Sequence, residues 1–231
     1  MAIVEKGGGG DVPLYWIGGW ASDLQCWGGL FQEFYPGFDL RFLDAHTVLD
    51  GDARLERMLS SAPPGACVAG WSLGSLILER MIREGRIPPE LPVLSICPFL
   101  DFCDPAGPWR PQVLRRMVRR IFGDAAGVLS DFGDRLGLEG EVRSAWFRQA
   151  LELGEESLAE GLTLLQDLRF EMPWAPHPMR LFAISPDDPV SPNCEVPRDS
   201  RRDLPMGSGH IPFLLRPEAI RAILLELAGR A

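Results

Sequence analysis

The sequence predicts an α/β protein: a mostly parallel sheet of about six strands, with helices on both faces and a helical insertion between the fourth and fifth strands. Three observations predict it. Short apolar runs alternate with segments of helical periodicity, the pattern of a parallel sheet covered on both sides. One apolar run passes through a sharp glycine-flanked turn directly into a helical segment. From about 108 to 168 the alternation stops, and the pattern is helical with almost no strand signal.

The elements follow in order. Gly7-Gly8-Gly9-Gly10 reads as a flexible leader that ends whatever precedes it. About a dozen residues precede the first strand, too few for a leading hairpin. Strand signals fall at Val12–Ile17, Phe38–Leu43, Cys67–Gly70, Val93–Cys97 and Met179–Ile184, with a sixth, weaker run near Asp203–Met206. Helical periodicity covers Leu24–Phe34, Ala53–Ser60 and Leu73–Arg83. A last helix at about Pro212–Leu227 opens on proline, which suits a first helical turn. These elements divide the chain into a core, 1–107 with 169–231, and an insertion at 108–168 of two to four helices. We read the insertion as a lid over the C-terminal edge of the sheet, where parallel α/β folds place their sites. The plainer reading is packing helices with no part in substrate access.

Composition narrows the function classes. The formal charge of −9 over 231 residues is the opposite of a general nucleic-acid binder. No run of roughly 18 apolar residues marks a membrane helix, and no apolar signal core stands at the N-terminus. The five cysteines are scattered, odd in number and show no CxxC pair. They read as free thiols of a reducing compartment. The expectation is therefore a monomer in the cytoplasm, with no nucleic-acid or membrane partner. Histidines and cysteines lack metal-ligand spacing, and no phosphate-binding glycine loop appears, so neither metal nor cofactor is expected.

The residues that carry chemistry begin with Gly70-Trp71-Ser72-Leu73-Gly74. This G-x-S-x-G pattern lies between a strand and a helix, the context in which a tight turn exposes a nucleophilic serine. A serine hydroxyl needs an adjacent base. The chain has three histidines, His46, His177 and His210. His210 lies in the small-residue loop Gly207-Ser208-Gly209-His210-Ile211-Pro212-Phe213, which can reach the carboxyl edge of the sheet, and is the expected base; His46 and His177 are the alternatives. The imidazole needs an anion to hold its tautomer. Asp187 and Asp188 both follow the fifth strand signal, and either can serve; both also suit a plain turn. Two backbone N–H groups are needed for the oxyanion, and the candidates are Leu73, next to the serine, and Trp20, after Gly18-Gly19. Trp71 adjoins the nucleophile and is expected to wall an acyl site; Trp16, Phe99, Trp109, Trp146 and Phe147 are further candidates, with plain core packing as the alternative for them.

Taken together, these residues resemble the α/β-hydrolase superfamily, and within it the pimeloyl-[acyl-carrier protein] methyl ester esterases of biotin synthesis. The resemblance runs over nearly the whole chain after the glycines. It is carried by Gly19-Trp20, by the elbow from Gly70 to Leu76 and by Cys97-Pro98-Phe99. Trp109 to Leu114, Gly161 to Arg169 and His210 to Phe213 add to it. It departs from many relatives in reading Gly18-Gly19-Trp20 where they have His-Gly-Trp. The resemblance implies Ser72, Asp188 and His210 as the triad and Trp20 and Leu73 as the oxyanion donors. Asp188 is favoured over Asp187 because Asp188-Pro189-Val190-Ser191-Pro192 matches the family's acid turn, with aspartate four before a proline. The implied reaction is hydrolysis of the methyl ester of pimeloyl-carrier protein, and the implied partner is an acyl carrier protein. Arg110, Arg115, Arg116, Arg119 and Arg120 crowd the start of the insertion with no acid among them. Arg115/Arg119 and Arg116/Arg120 are i, i+4 pairs on one helix face. In the resembled family lid arginines dock the acidic carrier; the alternatives are a solvated face or internal pairing with Asp124, Asp131 or Asp134. The rival functions are an esterase or thioesterase of another small acyl substrate and a non-catalytic binding relative.

Overall fold

A computed structural model describes residues 4–6, 11–22, 24–43, 45–49, 53–105, 107–191 and 194–229. The glycine run at 7–10 and Pro192 lie outside the described residues, as does the side chain of His46. Among the described residues, seven strands form one sheet in the order β1-β3-β2-β4-β5-β6-β7. They are β1 (Val4–Lys6), β2 (Val12–Ile17), β3 (Phe38–Leu43), β4 (Cys67–Trp71), β5 (Val93–Ile96), β6 (Arg180–Ile184) and β7 (Arg201–Asp203). Strands β2 to β7 are the six expected parallel strands. Strand β1 is an addition that the sequence reading left unassigned: three residues pair antiparallel with β3, Val4 opposite Leu43. So short a strand has no period to read, and only pairing with β3 defines it.

Burial explains the pattern of strand signals. Strands β4 and β5 are buried at every position, so they read as continuous apolar runs. Strand β7 is an edge with two exposed residues out of three, so it carries no apolar signature. The apolar stretch taken for the sixth strand, Asp203–Met206, lies mostly just beyond β7, with Leu204 buried and donating its N–H to Ile184 O at 2.8 Å. That placement corrects the sequence reading: the strand starts two residues earlier and ends three residues earlier.

The helices are α1 (Leu24–Phe34), α2 (Ala45–Leu49), α3 (Ala53–Ser60), α4 (Leu73–Arg83), α5 (Pro111–Leu136), α6 (Gly140–Glu152), α7 (Gly154–Asp167), α8 (Pro212–Leu215) and α9 (Pro217–Ala228). The expected continuous last helix is broken. Arg216 sits at φ −141°, ψ 57°, between α8 and α9. A residue before proline is pushed out of the helical region by the pyrrolidine ring, and Pro217 restarts the helix at its first turn. Helix α5 is kinked at Asp124, whose φ of −155° and ψ of 54° are not helical.

Strand order decides where a site can form. The chain passes from β2 to β3 on one side, then returns to place β4 on the other side of β2. Loops leaving the carboxyl ends of β2 and β4 therefore diverge and open a crevice between them. The register keeps those ends level, with Ile17 opposite Gly70. Helices α5, α6 and α7, inserted between β5 and β6, pack on loops at this same edge. Trp20 Nε1 donates to Leu158 O of α7 at 2.8 Å, and Trp146 Nε1 of α6 donates to Ala21 O at 2.9 Å. Gly161 lets α7 lie against the Trp20 indole, since a Cβ there would stand 2.7 Å from its ring.

Candidate active site

The elbow after β4 holds Ser72 at φ 54°, a left-handed conformation that is strained for any residue with a side chain. Close packing enforces it. A Cβ on Gly74 would fall 2.1 Å from Ile17 O, and one on Gly70 2.4 Å from Gly74 O. Ser72 occupies the N-cap position of α4, yet its hydroxyl makes no cap bond. Instead Ser72 Oγ lies 2.9 Å from His210 Nε2, and His210 Nδ1 lies 2.8 Å from Asp188 Oδ2. An ionised carboxylate only accepts, so Nδ1 carries the ring proton and Nε2 is left to accept from the serine. These three residues, from loops after β4, β6 and β7, form one hydrogen-bonded chain at the carboxyl edge.

Each member has its own support. Asp188 Oδ1 accepts the N–H groups of Val190 at 2.7 Å and Ser191 at 3.0 Å. Burial raises the Asp188 pKa, but the adjacent His210 and these N–H donors outweigh it and hold the carboxyl below its ordinary 3.8. Asp187 points elsewhere. Its carboxylate accepts Gly207 N at 2.7 Å and Gly209 N at 3.2 Å, which fixes the loop that carries the histidine. Its pKa is also lowered: burial, the largest single influence, raises it, but those backbone donors and Ser185 together outweigh it. His177 is remote from this chain, with Nε2 at 3.1 Å from Pro88 O.

The loop after β2 closes against the elbow. Gly19 approaches so closely that a Cβ would lie 3.3 Å from Ser72 Cβ. Ala21 holds φ 58°, turning the chain sharply beside Trp20. Leu73 opens α4, whose N-terminus directs unpaired N–H groups and a favourable dipole toward the serine.

The tryptophans correct the sequence reading. Trp71, expected on an acyl wall, is 1% exposed and turned into the aromatic core, edge-on to Phe213 at 4.9 Å. Its Nε1 donates to His210 O at 2.6 Å, so it holds the backbone of that histidine. Trp109 Nε1 donates to Val190 O at 2.7 Å and pins the acid turn. Trp16 is wholly buried among Phe31, Phe42 and Phe213. Indole N–H groups thus tie down the loops after β2, β6 and β7, a role that only contacts more than 80 positions apart in sequence reveal.

The arginines of α5 divide. Arg120 pairs with Asp124 at 2.8 Å and Asp131 at 2.5 Å on its own helix, the internal pairing that the sequence left open as the alternative to docking. The kink at Asp124 brings these partners together. Arg115, Arg116 and Arg119 are exposed and make no ion pair among the described residues. The exposed Phe122 shares a face with Arg115 and Arg119.

A hydroxyl, an imidazole and a carboxylate stand in one hydrogen-bonded line at a topological switch point. The chain is a serine hydrolase with the α/β-hydrolase fold. Solved structures of this fold superpose along nearly its full length. An esterase from Exiguobacterium antarcticum matches at TM-score 0.69 and 12% identity, covering 98% of this chain and 94% of that one. A bromoperoxidase from Bacillus anthracis matches at TM-score 0.71 and 14% identity, covering 98% and 94%. By sequence the hydrolase is similar to pimeloyl-[acyl-carrier protein] methyl ester esterases. That of Klebsiella pneumoniae is 27% identical over 95% of each chain, and that of Vibrio vulnificus 27% over 97% of this chain and 96% of the relative. No family profile matches the chain. Among the described residues no helix is long and apolar enough to cross a membrane.

The carboxylates supply a pH expectation. Both Asp187 and Asp188 have pKa values below 3.8 in the folded protein. A depressed carboxyl binds its proton more weakly folded than unfolded. Its stabilisation is complete above the unfolded pKa and is lost as pH falls through the folded one. Urea midpoints are expected to drop as pH is lowered past the ordinary aspartate value. In Asp188→Asn the acid limb flattens; an unaltered limb contradicts this assignment of charge.

Proposed function

We propose that this carboxylic ester hydrolase cleaves the methyl ester of pimeloyl-acyl-carrier protein, a step of biotin synthesis, with Ser72 as nucleophile, His210 as general base and Asp188 as its orienting anion. The observation that carries the reading is the unbroken line Asp188 Oδ2, His210 Nδ1, His210 Nε2, Ser72 Oγ, with contacts of 2.8 and 2.9 Å. The substrate follows from the full-length similarity to esterases of that name.

In this reading Ser72 Oγ attacks the ester carbonyl as its proton passes to His210 Nε2. The imidazolium is stabilised by Asp188, and the carbonyl oxygen, now negative, takes N–H donors from Leu73 and Trp20. His210 returns the proton to the departing methoxide, releasing methanol. A water molecule then gives its proton to His210, attacks the acyl-serine and frees the acid. No cofactor enters these steps.

Ser72 is only 5% exposed, so substrate entry requires the loops or the helices above them to move. Helices α5 to α7 act as the lid, since α6 and α7 bond to the Trp20 loop and Trp109, just before α5, bonds to the acid turn. Arg115, Arg116 and Arg119, with Phe122, offer an acidic carrier protein a cationic face with an apolar contact.

The test is methanol release from purified pimeloyl-carrier-protein methyl ester. Release well above a Ser72→Ala control is expected, and release equal to that control defeats the substrate. Charge reversal at Arg115 and Arg119 is expected to slow reaction with the carrier-bound ester about tenfold or more at low salt. Hydrolysis of a free p-nitrophenyl ester should not change. Equal losses on both substrates reject the docking face.

A further inference from the structure

Strand β5 delivers a thiol to the back of the acid–base pair. Cys97, the first residue after β5, holds φ 48° and is locked by its N–H to Ala183 O at 3.0 Å. Its Sγ, a carboxylate oxygen of Asp188 and a ring nitrogen of His210 all lie within 4.8 Å of one another. The nitrogen on that side is Nδ1, because Nε2 faces Ser72. Ser191 Oγ adds an oxygen 3.3 Å from Nδ1. Behind the group lies a cavity of about 270 Å³ lined by Cys97, Asp188, Ser191, Cys194, Glu195 and Arg201, but not by Ser72. The cavity therefore reaches the acid from the side away from the nucleophile.

Thiolate, imidazole and carboxylate in one cluster are the donor set of a borderline-soft divalent cation. We propose that Cys97, Asp188 and His210 form an inhibitory site for Zn²⁺ or Cd²⁺, entered through the cavity behind the triad. The protons balance as follows. The metal–sulfur bond forms as the Cys97 S–H proton leaves to solvent. The metal–nitrogen bond forms at Nδ1 as its proton is lost there and regained at Nε2, so the ring stays neutral. The fourth position goes to Ser191 Oγ or to water in the cavity. With Nε2 protonated, His210 can only donate to Ser72 and cannot accept its proton. Inhibition, though not binding, rests on the catalytic reading above.

The experiment titrates Cd²⁺ into EDTA-treated protein and follows two signals. One is thiolate-to-metal charge-transfer absorption, read without substrate; the other is p-nitrophenyl ester hydrolysis. One equivalent is expected to raise the absorption band and stop hydrolysis. Cys97→Ser keeps a hydroxyl beside Asp188 and should retain basal hydrolysis. It should lose the band and need at least about 100-fold more Cd²⁺ for inhibition, since even an outer partner of a metal costs 10–100-fold. Cys97→Ala gives the same result by a second route, and Cys194→Ser keeps both signals. A band that survives Cys97→Ser, or inhibition of that variant at wild-type Cd²⁺, overturns the site. The catalytic reading fails separately, if metal-free protein hydrolyses no ester, and the band still decides the metal site.

Discussion

Asp188→Asn is expected to lower kcat for ester hydrolysis by about 10⁴-fold while leaving the fold intact. The geometry gives the reason. The amide oxygen can keep the two backbone donors from Val190 and Ser191, so the turn survives. The amide NH₂ then faces His210 Nδ1 and donates to it. That forces the ring proton onto Nε2, which can no longer accept from Ser72. Asp187→Asn is the internal comparison. Asp187 uses its oxygens on Gly207, Gly209 and Ser185, so its amide loses part of a loop contact but leaves the imidazole tautomer alone. The measurement is kcat on a p-nitrophenyl ester, with thermal unfolding beside it. A larger loss in the Asp187 variant than in the Asp188 variant would reverse the assignment of the acid.

Glu79→Ala is expected to destabilise the protein by about 3–5 kcal/mol, the cost of stranding a buried charge. Glu79 is fully buried on α4. Its oxygens accept Arg180 Nη1 at 2.6 Å, Arg83 Nε at 2.7 Å and Ala175 N at 2.8 Å. Arg180 is 3% exposed, and its guanidinium lies over the touching rings of Trp174 and Phe182, at 4.8 and 4.4 Å from their centroids. Burial lowers its pKa, and Glu79 opposes that loss. Removing the carboxylate leaves a buried guanidinium without its charge partner, against two aromatic rings. Urea denaturation measures the loss. Glu79→Leu with Arg180→Met removes both charges and should recover much of it, whereas a mildly perturbed Glu79→Ala would show the pair to be dispensable. The pair links α4, which begins beside Ser72, to β6, which ends before Asp188. Its failure therefore reaches the site through the scaffold.

Several features were legible because their signals are local. The buried strands β4 and β5 announce themselves as apolar runs, and the elbow as glycines flanking a serine between strand and helix. His210 stood out by its loop and its place in the chain. The Glu79–Arg180 pair, 101 positions apart, gave no sequence signal. Nor did the indole clamps, because a tryptophan in a core and a tryptophan on a ligand wall look alike until their N–H partners are known.

By itself the sequence determined the α/β alternation, the strained nucleophile turn and the order of the reactive residues, since each depends on neighbours a few positions away. The tertiary structure set Asp188, which the resemblance already favoured over Asp187, against the imidazole; it alone turned Trp71 inward, drew Arg120 onto its own helix and set Cys97 behind Asp188. Adjacent side chains on a turn point in different directions. Which one meets the imidazole depends on how β6 and β7 bring two distant loops together, and that is a property of sheet register rather than of local pattern.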